Sequence, residues 1–197
     1  MPSYIKLTFT QAVKYRKKAH MRAFLIIHFV FCAATLNARE HSRPYVALSA
    51  SEYLHPVYDS TVKDVYTNEQ SKVVVRHYDK RVEKYPCDQV WGYKGRDGVG
   101  YRSFNSRYYK IEQVDTLVIY ERRVRAGKIR KRVSYFSRGH EGDVYELREK
   151  ELRDVFSDNP AFLSLLRKDL KWYQMLNSYS EKKGTYRVVA FYRRSIF

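Results

Sequence analysis

The sequence has little of what most hydrolases or disulfide-stapled secreted domains are built from. Two cysteines, Cys32 and Cys87, stand in 197 residues, too few for the disulfide framework that stabilises small exported folds. No Gly-x-Ser-x-Gly stretch occurs, so no nucleophile elbow is indicated. There is no His-x-x-x-His pair and no clustered cysteine spacing of the kind that holds zinc. The histidines after residue 38, His41, His55, His77 and His140, are scattered along the chain. No internal repeat is evident, and no apolar run reaches the roughly 17–20 residues of a membrane-spanning helix. No catalytic residue, cofactor or metal is expected on these grounds.

Acid is missing altogether from residues 1–38, which carry Lys6, Lys14, Arg16, Lys17, Lys18 and Arg22. The apolar run Ala23–Ala34 follows these charges, with His28 as its one polar interruption. Its length falls within the roughly 7–15 residues of a secretory signal core. Ala33, Ala34 and then Leu36-Asn37-Ala38 form a small-residue exit that permits cleavage after Ala38, with Ala34 as a second candidate. A buried helix would show polar residues at helical spacing, whereas this segment is apolar all round. A lipoprotein signal needs a small residue before Cys32, where Phe31 stands. Residues 1–38 therefore read as a cleaved export signal. Met21 directly precedes Arg22 and the apolar run, so a start there gives a compact leader and makes 1–20 an over-extended start.

The chain carries 38 basic and 21 acidic residues, a net charge of +17. Removing the six basic residues of the leader leaves 32 against 21, a net charge of +11. A body of the remaining length buries about 68–70% of its unfolded surface, enough for one domain with a real core. Cys87 is then the lone cysteine and is expected as a small buried side chain between strands. A thiolate–imidazole pair with His77 or His140 has no local support in the sequence.

Residues 39–60 hold Pro44 and Pro56 and no sustained period, and read as an extended lead-in. Residues 61–197 read as a single α+β domain. Lys72–Tyr78 is rich in β-branched and aromatic residues, Asp79-Lys80-Arg81 turns the chain, and Val82–Tyr85 returns it. Asp97-Gly98 between Trp91-Gly92-Tyr93 and Tyr101–Phe104 is a hairpin signal of the type I′ kind, with φ > 0 at both positions. Strand signals on both sides also argue against a phosphate loop in "GYKGRDGVGYR", since such a loop leads into a helix. Tyr108–Val114, Leu117–Arg122, Ile129–Ser137 and Val144–Leu147 complete a series of short strands. The sheet, over about 61–147, is expected to be a curled antiparallel meander or a small barrel-like sheet.

The period changes after residue 147. Glu149 with Arg153 and Lys150 with Asp154 have helical i, i+4 spacing. Ser157-Asp158-Asn159-Pro160 supplies a cap followed by proline at the first helical position. An apolar stripe through Phe162, Leu166, Tyr173 and Leu176 predicts C-terminal helices, over about 148–176, packed on the sheet. Tyr186–Tyr192 reads as a closing strand or extended arm within 185–194.

One surface feature stands out. Arg122-Arg123-Val124-Arg125-Ala126-Gly127-Lys128-Ile129-Arg130-Lys131-Arg132 carries seven cations in eleven residues and no acid. On a strand–turn–strand this becomes a dense positive hairpin, with Tyr108, Tyr109, Tyr120 and Tyr135 close in sequence. Arginine beside aromatic faces binds single-stranded nucleic acid by charge and stacking, and an acidic glycan or lipid head group by the same forces. The bland alternative is a solvated tip that keeps an edge strand from aggregating. Export makes nucleic acid a non-specific partner only. A second, enzymatic reading would use His140, Asp143 and Glu146 as an acid–base group acting on an envelope polymer. His77-Tyr78-Asp79 and His140-Glu141-Gly142-Asp143 hold potential metal-ligand atoms, but the second is also an ordinary loop composition.

The strings Gly92-Tyr93, Tyr101-Arg102, Tyr109-Lys110-Ile111, Ile119-Tyr120, Tyr135-Phe136-Ser137 and Leu147…Leu152…Phe156…Asn159 resemble a pattern in small exported proteins of Bacteroidota of uncharacterised function. The resemblance spans about Val90 to Leu166. It implies a periplasmic or envelope setting and brings no catalytic residues, and the arginine-rich hairpin is not part of it. The expectation is therefore a periplasmic or secreted protein, or one peripheral to the outer membrane, with no transmembrane segment after the leader. Its partner would be an anionic envelope component (lipopolysaccharide, glycan or lipid head group) or another envelope protein. The contact would use Arg122, Arg123, Arg125, Lys128, Arg130, Lys131 and Arg132, with Tyr108 and Tyr109 as stacking faces. Mass spectrometry of the mature protein should find an N-terminus near Arg39; an intact chain from Met1 would refute export.

Overall fold

The computed structural model describes residues 43–169 and 176–196; the export signal expected over 1–38 lies outside them, as do Leu170 and Tyr173 of the helical stripe. Strands β1 (Tyr45–Ala47), β5 (Gly92–Lys94), β6 (Gly100–Phe104), β7 (Arg107–Gln113), β8 (Leu117–Ala126), β9 (Ile129–Arg138) and β10 (Tyr145–Glu146) form one sheet in the order β1-β5-β6-β7-β8-β9-β10. Every pairing in it is antiparallel. Strands β2 (Val62–Thr67), β3 (Val73–His77) and β4 (Val82–Tyr85) form a second antiparallel sheet. Helices α1 (Ala50–Leu54), α2 (Glu149–Val155), α3 (Pro160–Asp169) and α4 (Arg187–Ile196) complete the domain, with a two-residue ladder of β11 (Tyr179–Ser180) and β12 (Thr185–Tyr186). The fold is α+β, and of the two sheet forms expected the open meander is the one present. Among the described residues no helix is long and apolar enough to cross a membrane.

Side chains alternate across a strand, and residues paired across an antiparallel ladder share a face. The register therefore sorts the seven-stranded sheet into two sides. On one side Leu117, Ile119 and Phe136 meet Leu152 and Phe156 of α2, Phe162 and Leu166 of α3, and Val188, Phe191 and Tyr192 of α4. Phe156 centres this core, with ring centroids 4.8 Å from both Phe162 and Tyr192. Farther along the same side, Tyr93 packs with Tyr101 and Tyr108 against Val65, Val73 and Val75 of the second sheet. On the opposite side Tyr109, Val118 and Tyr120 form a third cluster with Phe104, Ile111 and Tyr135.

The turns follow one repeated solution. At Gly95–Val99 the Gly95 N–H bonds the Val99 carbonyl at 2.9 Å and the Gly98 N–H bonds the Gly95 carbonyl at 3.0 Å. Only Gly98 has positive φ there (78°), so the Asp97-Gly98 turn is not the type I′ turn expected. It is a longer loop closed by one left-handed residue, and the Asp97 carboxylate accepts from the Val99 N–H at 3.0 Å. The same bonds recur at Asn68–Lys72, where Ser71 is left-handed, and at His77–Arg81, where Lys80 is. The two-residue turn with both φ positive is Asn105-Ser106, between the paired Phe104 and Arg107.

Helix α3 begins as read from the sequence: Pro160 is its first residue, and Asn159 Oδ1 accepts from the Phe162 N–H at 2.9 Å. Glu149 and Arg153 of α2 form their i, i+4 ion pair. Two segments differ from expectation. The lead-in over 39–60 is not merely extended, because Tyr45–Ala47 joins the main sheet and Ser49 caps α1, its hydroxyl accepting from Glu52 N while Glu52 accepts from Leu48 N at 2.7 Å. The closing strand expected over 185–194 is instead mostly α4. Val188, Phe191, Tyr192 and Ser195 fall at i, i+3, i+4 and i+7, and that helical stripe is what the aromatic core accepts.

An L-residue in the left-handed region costs about 1 kcal/mol that glycine does not incur. Lys80→Gly should therefore raise the unfolding free energy by up to about 1 kcal/mol. Gly98→Ala should lower it by about as much, since a Cβ there meets nothing within 4 Å and the cost is backbone alone. Urea titration of both variants checks the contrast.

Candidate functional site

Strands β8 and β9 pair over their whole length, from Leu117↔Arg138 to Ala126↔Ile129. Their neighbours do not follow them. The pairing of β7 with β8 ends at Lys110↔Glu121, and that of β10 with β9 at Glu146↔Tyr135. Where β8 leaves β7 a cleft of about 640 Å³ opens, lined by Tyr101, Ser106, Arg107, Tyr108, Lys110, Glu121, Arg122, Arg123 and Arg132, with Ser71 from the β2–β3 loop. Three of the residues singled out in the sequence, Tyr108, Arg123 and Arg132, are thereby brought to one groove, which Arg122 also borders.

Arg107, Lys110, Arg123 and Arg132 stand with one carboxylate, Glu121, in the lining of this groove, while strand parity sends the Arg122 side chain to the opposite face. Lys110 is held by Glu112 at 2.7 Å, a hydrogen bond that raises its pKa, and Arg132 lies 3.7 Å from Glu121. Among the described residues neither Arg107 nor Arg123 forms an ion pair with a carboxylate, and both are exposed. The tyrosines provide the floor. Tyr101 stacks on Tyr93 at 4.9 Å, and Tyr108 sets its edge on Tyr93 while its hydroxyl donates to the Ser71 carbonyl at 2.8 Å. The arrangement is a packed aromatic base beside exposed guanidinium groups, which suits a phosphate, sulfate or carboxylate in a partly dry setting.

Tyr109 is not available as a stacking face. It is buried on the opposite side of the sheet, its ring edges against Tyr120 and Tyr135, with the Arg122 guanidinium 5.9 Å above it. Arg125 and Arg130 lie farther out on the groove side, Lys131 on the other side, and Lys128 in the turn. The sequence reading missed Tyr101, Arg107 and Lys110. Once β6, β7 and β8 are aligned, Tyr101, Lys110 and Glu121 form a single cross-strand row, so hairpin register was the signal that could have found them.

His140, Asp143 and Glu146 do not form a shared site. Glu146 is bound to Arg148 at 2.7 Å, Asp143 is exposed with the Tyr145 hydroxyl 3.5 Å away, and none of the three lines any of the described cavities. Burial, and then the nearby Arg102, push the His140 imidazole below its ordinary pKa. Cys87 is buried, its Sγ 2.7 Å from the Ser103 hydroxyl and 3.9 Å from the Arg107 carbonyl. Among the described residues no group of three metal-ligating side chains is close enough to hold an ion.

No protein-family model, curated protein or solved structure matches this chain.

A second cavity of about 480 Å³ beside α4 is also basic, lined in part by Lys183 and Arg194. It lies apart from the groove's residues and offers an internal comparison for charge effects.

Burial pushes the Tyr93 phenol up to about 12, and burial also raises Tyr101 and Tyr108. These phenols hold their protons more tightly folded than unfolded, so the folded state is favoured fully below pH ~10 and loses that advantage as pH climbs through the raised values. Phenolate absorbance should therefore show the tyrosine cluster ionising only together with unfolding, above pH ~10. Free titration of these phenols in the folded protein near pH 10 would contradict the packing described.

Proposed function

We propose that the protein is an exported cell-envelope protein that binds an anionic component of the envelope through the groove and the basic β8–β9 hairpin, without catalysis. The partner class is a lipopolysaccharide phosphate, an acidic glycan or a lipid head group. The observation that carries this reading is the groove lining: four cations, Arg107, Lys110, Arg123 and Arg132, and one carboxylate around a floor of tyrosine. The acid-free leader over 1–38 and the resemblance to exported Bacteroidota proteins support the envelope setting. Dispersal of His140, Asp143 and Glu146 favours binding over the hydrolase reading.

The test uses heparin as an acidic glycan and phosphatidylglycerol vesicles as an anionic lipid, titrated at several salt concentrations. Arg107→Glu with Arg123→Glu should weaken binding by about tenfold or more, since each basic residue near an anionic surface contributes about 1 kcal/mol. The same pair should flatten the salt dependence, because exposed charges act through a screened field. Lys183→Glu with Arg194→Glu removes equal charge beside α4 and should have a much smaller effect. Equal losses from both pairs, or none from the first, would leave the hairpin as a solvated tip.

A further inference from the structure

Beyond Glu121 and Ser134 the long strands β8 and β9 have only each other as ladder partners among the described residues. They leave the sheet as a two-stranded ribbon whose register separates two unlike faces. On the groove side Arg123 stands opposite Arg132 and Arg125 opposite Arg130. On the other side Val124 stands opposite Lys131, Ala126 opposite Ile129, and Arg122 opposite Val133. Four arginines thus occupy one face, while Val124, Ala126, Ile129 and Val133 share the other with only two cations. At the tip Gly127, with φ 64°, makes the tight reversal, and Ile129 is left 72% exposed.

A soluble anion accounts for the arginine face and leaves the apolar face without use. An anionic lipid surface accounts for both. We infer that this ribbon docks tip-first on an anionic lipid surface, with Ala126 and Ile129 entering the boundary between head groups and acyl chains. Strands rise about 3.4 Å per residue, so the residues from Val124 to the turn span roughly the 5–10 Å depth at which interfacial elements sit. Arg123 and Arg132 then lie at phosphate level, and Arg125 and Arg130, one step nearer the tip, reach back to it along their own stems. Lys128 and Lys131 keep their stems along the apolar layer and return their ammonium groups to the head groups. Attraction to anionic lipid and burial of apolar area act together in such elements, and each basic residue multiplies affinity by about fivefold. This inference rests on the anion-binding reading above and narrows its partner to a lipid.

The experiment compares full-length parent protein, Ile129→Trp, and Val124→Ser with Ile129→Ser, using phosphatidylcholine vesicles with and without phosphatidylglycerol, and heparin as a lipid-free polyanion. With phosphatidylglycerol vesicles the emission of Ile129→Trp, relative to the parent, should shift to the blue and be quenched by brominated acyl chains. Heparin should produce neither change. The double serine variant should lose about tenfold in vesicle affinity, in keeping with the apolar area removed, and bind heparin as the parent does. Vesicle binding without blue shift or quenching, undiminished vesicle binding by the serine variant, or binding to heparin but not to vesicles would each overturn the lipid inference and leave anion binding standing. Failure of the parent to bind either probe would overturn both.

Discussion

The ladder between β8 and β9 is the constraint on which the rest is arranged. Ten residues of each strand pair without a register shift, and the same alternation of side chains serves two environments. At the Leu117 end it places Leu117, Ile119 and Phe136 under the helices; at the Ala126 end it carries six cations into solvent. A slip of one residue would turn Ile119 away from Phe156 and at the same time move every arginine to the wrong face. The core therefore enforces the geometry of the charged end. The helices contribute by fixing Phe136 and, through the ion pair of Arg193 with Asp115, by tying α4 to the start of β8.

A second restraint on that register is interior and polar. Arg102 on β6 is 3% exposed, and its guanidinium donates to the Tyr120 hydroxyl on β8 at 2.9 Å. Tyr120 lies 2.9 Å from the Ser137 hydroxyl on β9, and Ser137 donates to the Gly139 carbonyl at 2.7 Å. Among the described residues no carboxylate pairs with Arg102, and its Nε has no hydrogen-bond partner. The rings of Trp91, Phe104 and Tyr120, with centroids 5.3, 5.6 and 5.8 Å from the guanidinium carbon, offset part of the desolvation cost. A chain of donors crossing β6, β8 and β9 is satisfied in one alignment only, so the cost of burying the charge is linked to a unique pairing.

Much of the architecture was legible in the sequence because it rests on local rules. The β-branched runs, the proline at the start of α3 and the change of period after residue 147 each have a short-range cause. The positive hairpin was legible because its cations are contiguous. What escaped depends on tertiary choice. Tyr186–Tyr192 is rich enough in β-branched and aromatic residues for a strand, and the aromatic pocket formed by Phe156 and Phe162 selects its helical stripe. Ser49 and Glu52 were an unread capping signal for α1. Tyr109 and Tyr108 are adjacent and chemically alike, yet one is buried and the other lines the groove, a difference that strand parity alone decides. The groove itself exists because β7 stops short of β8, and strand length mismatch is invisible until register is known.

The opposed arginines also give the outer hairpin an unusual response to electrolyte. Arg123 facing Arg132 and Arg125 facing Arg130 repel across the strands, and among the described residues no neighbouring strand holds the pair together. Added salt screens that repulsion within a Debye length of about 10 Å at 0.1 M. Ions that would weaken the proposed hold on a negatively charged partner therefore draw the two strands of the hairpin together, so its cohesion and the proposed attraction move in opposite directions along one variable.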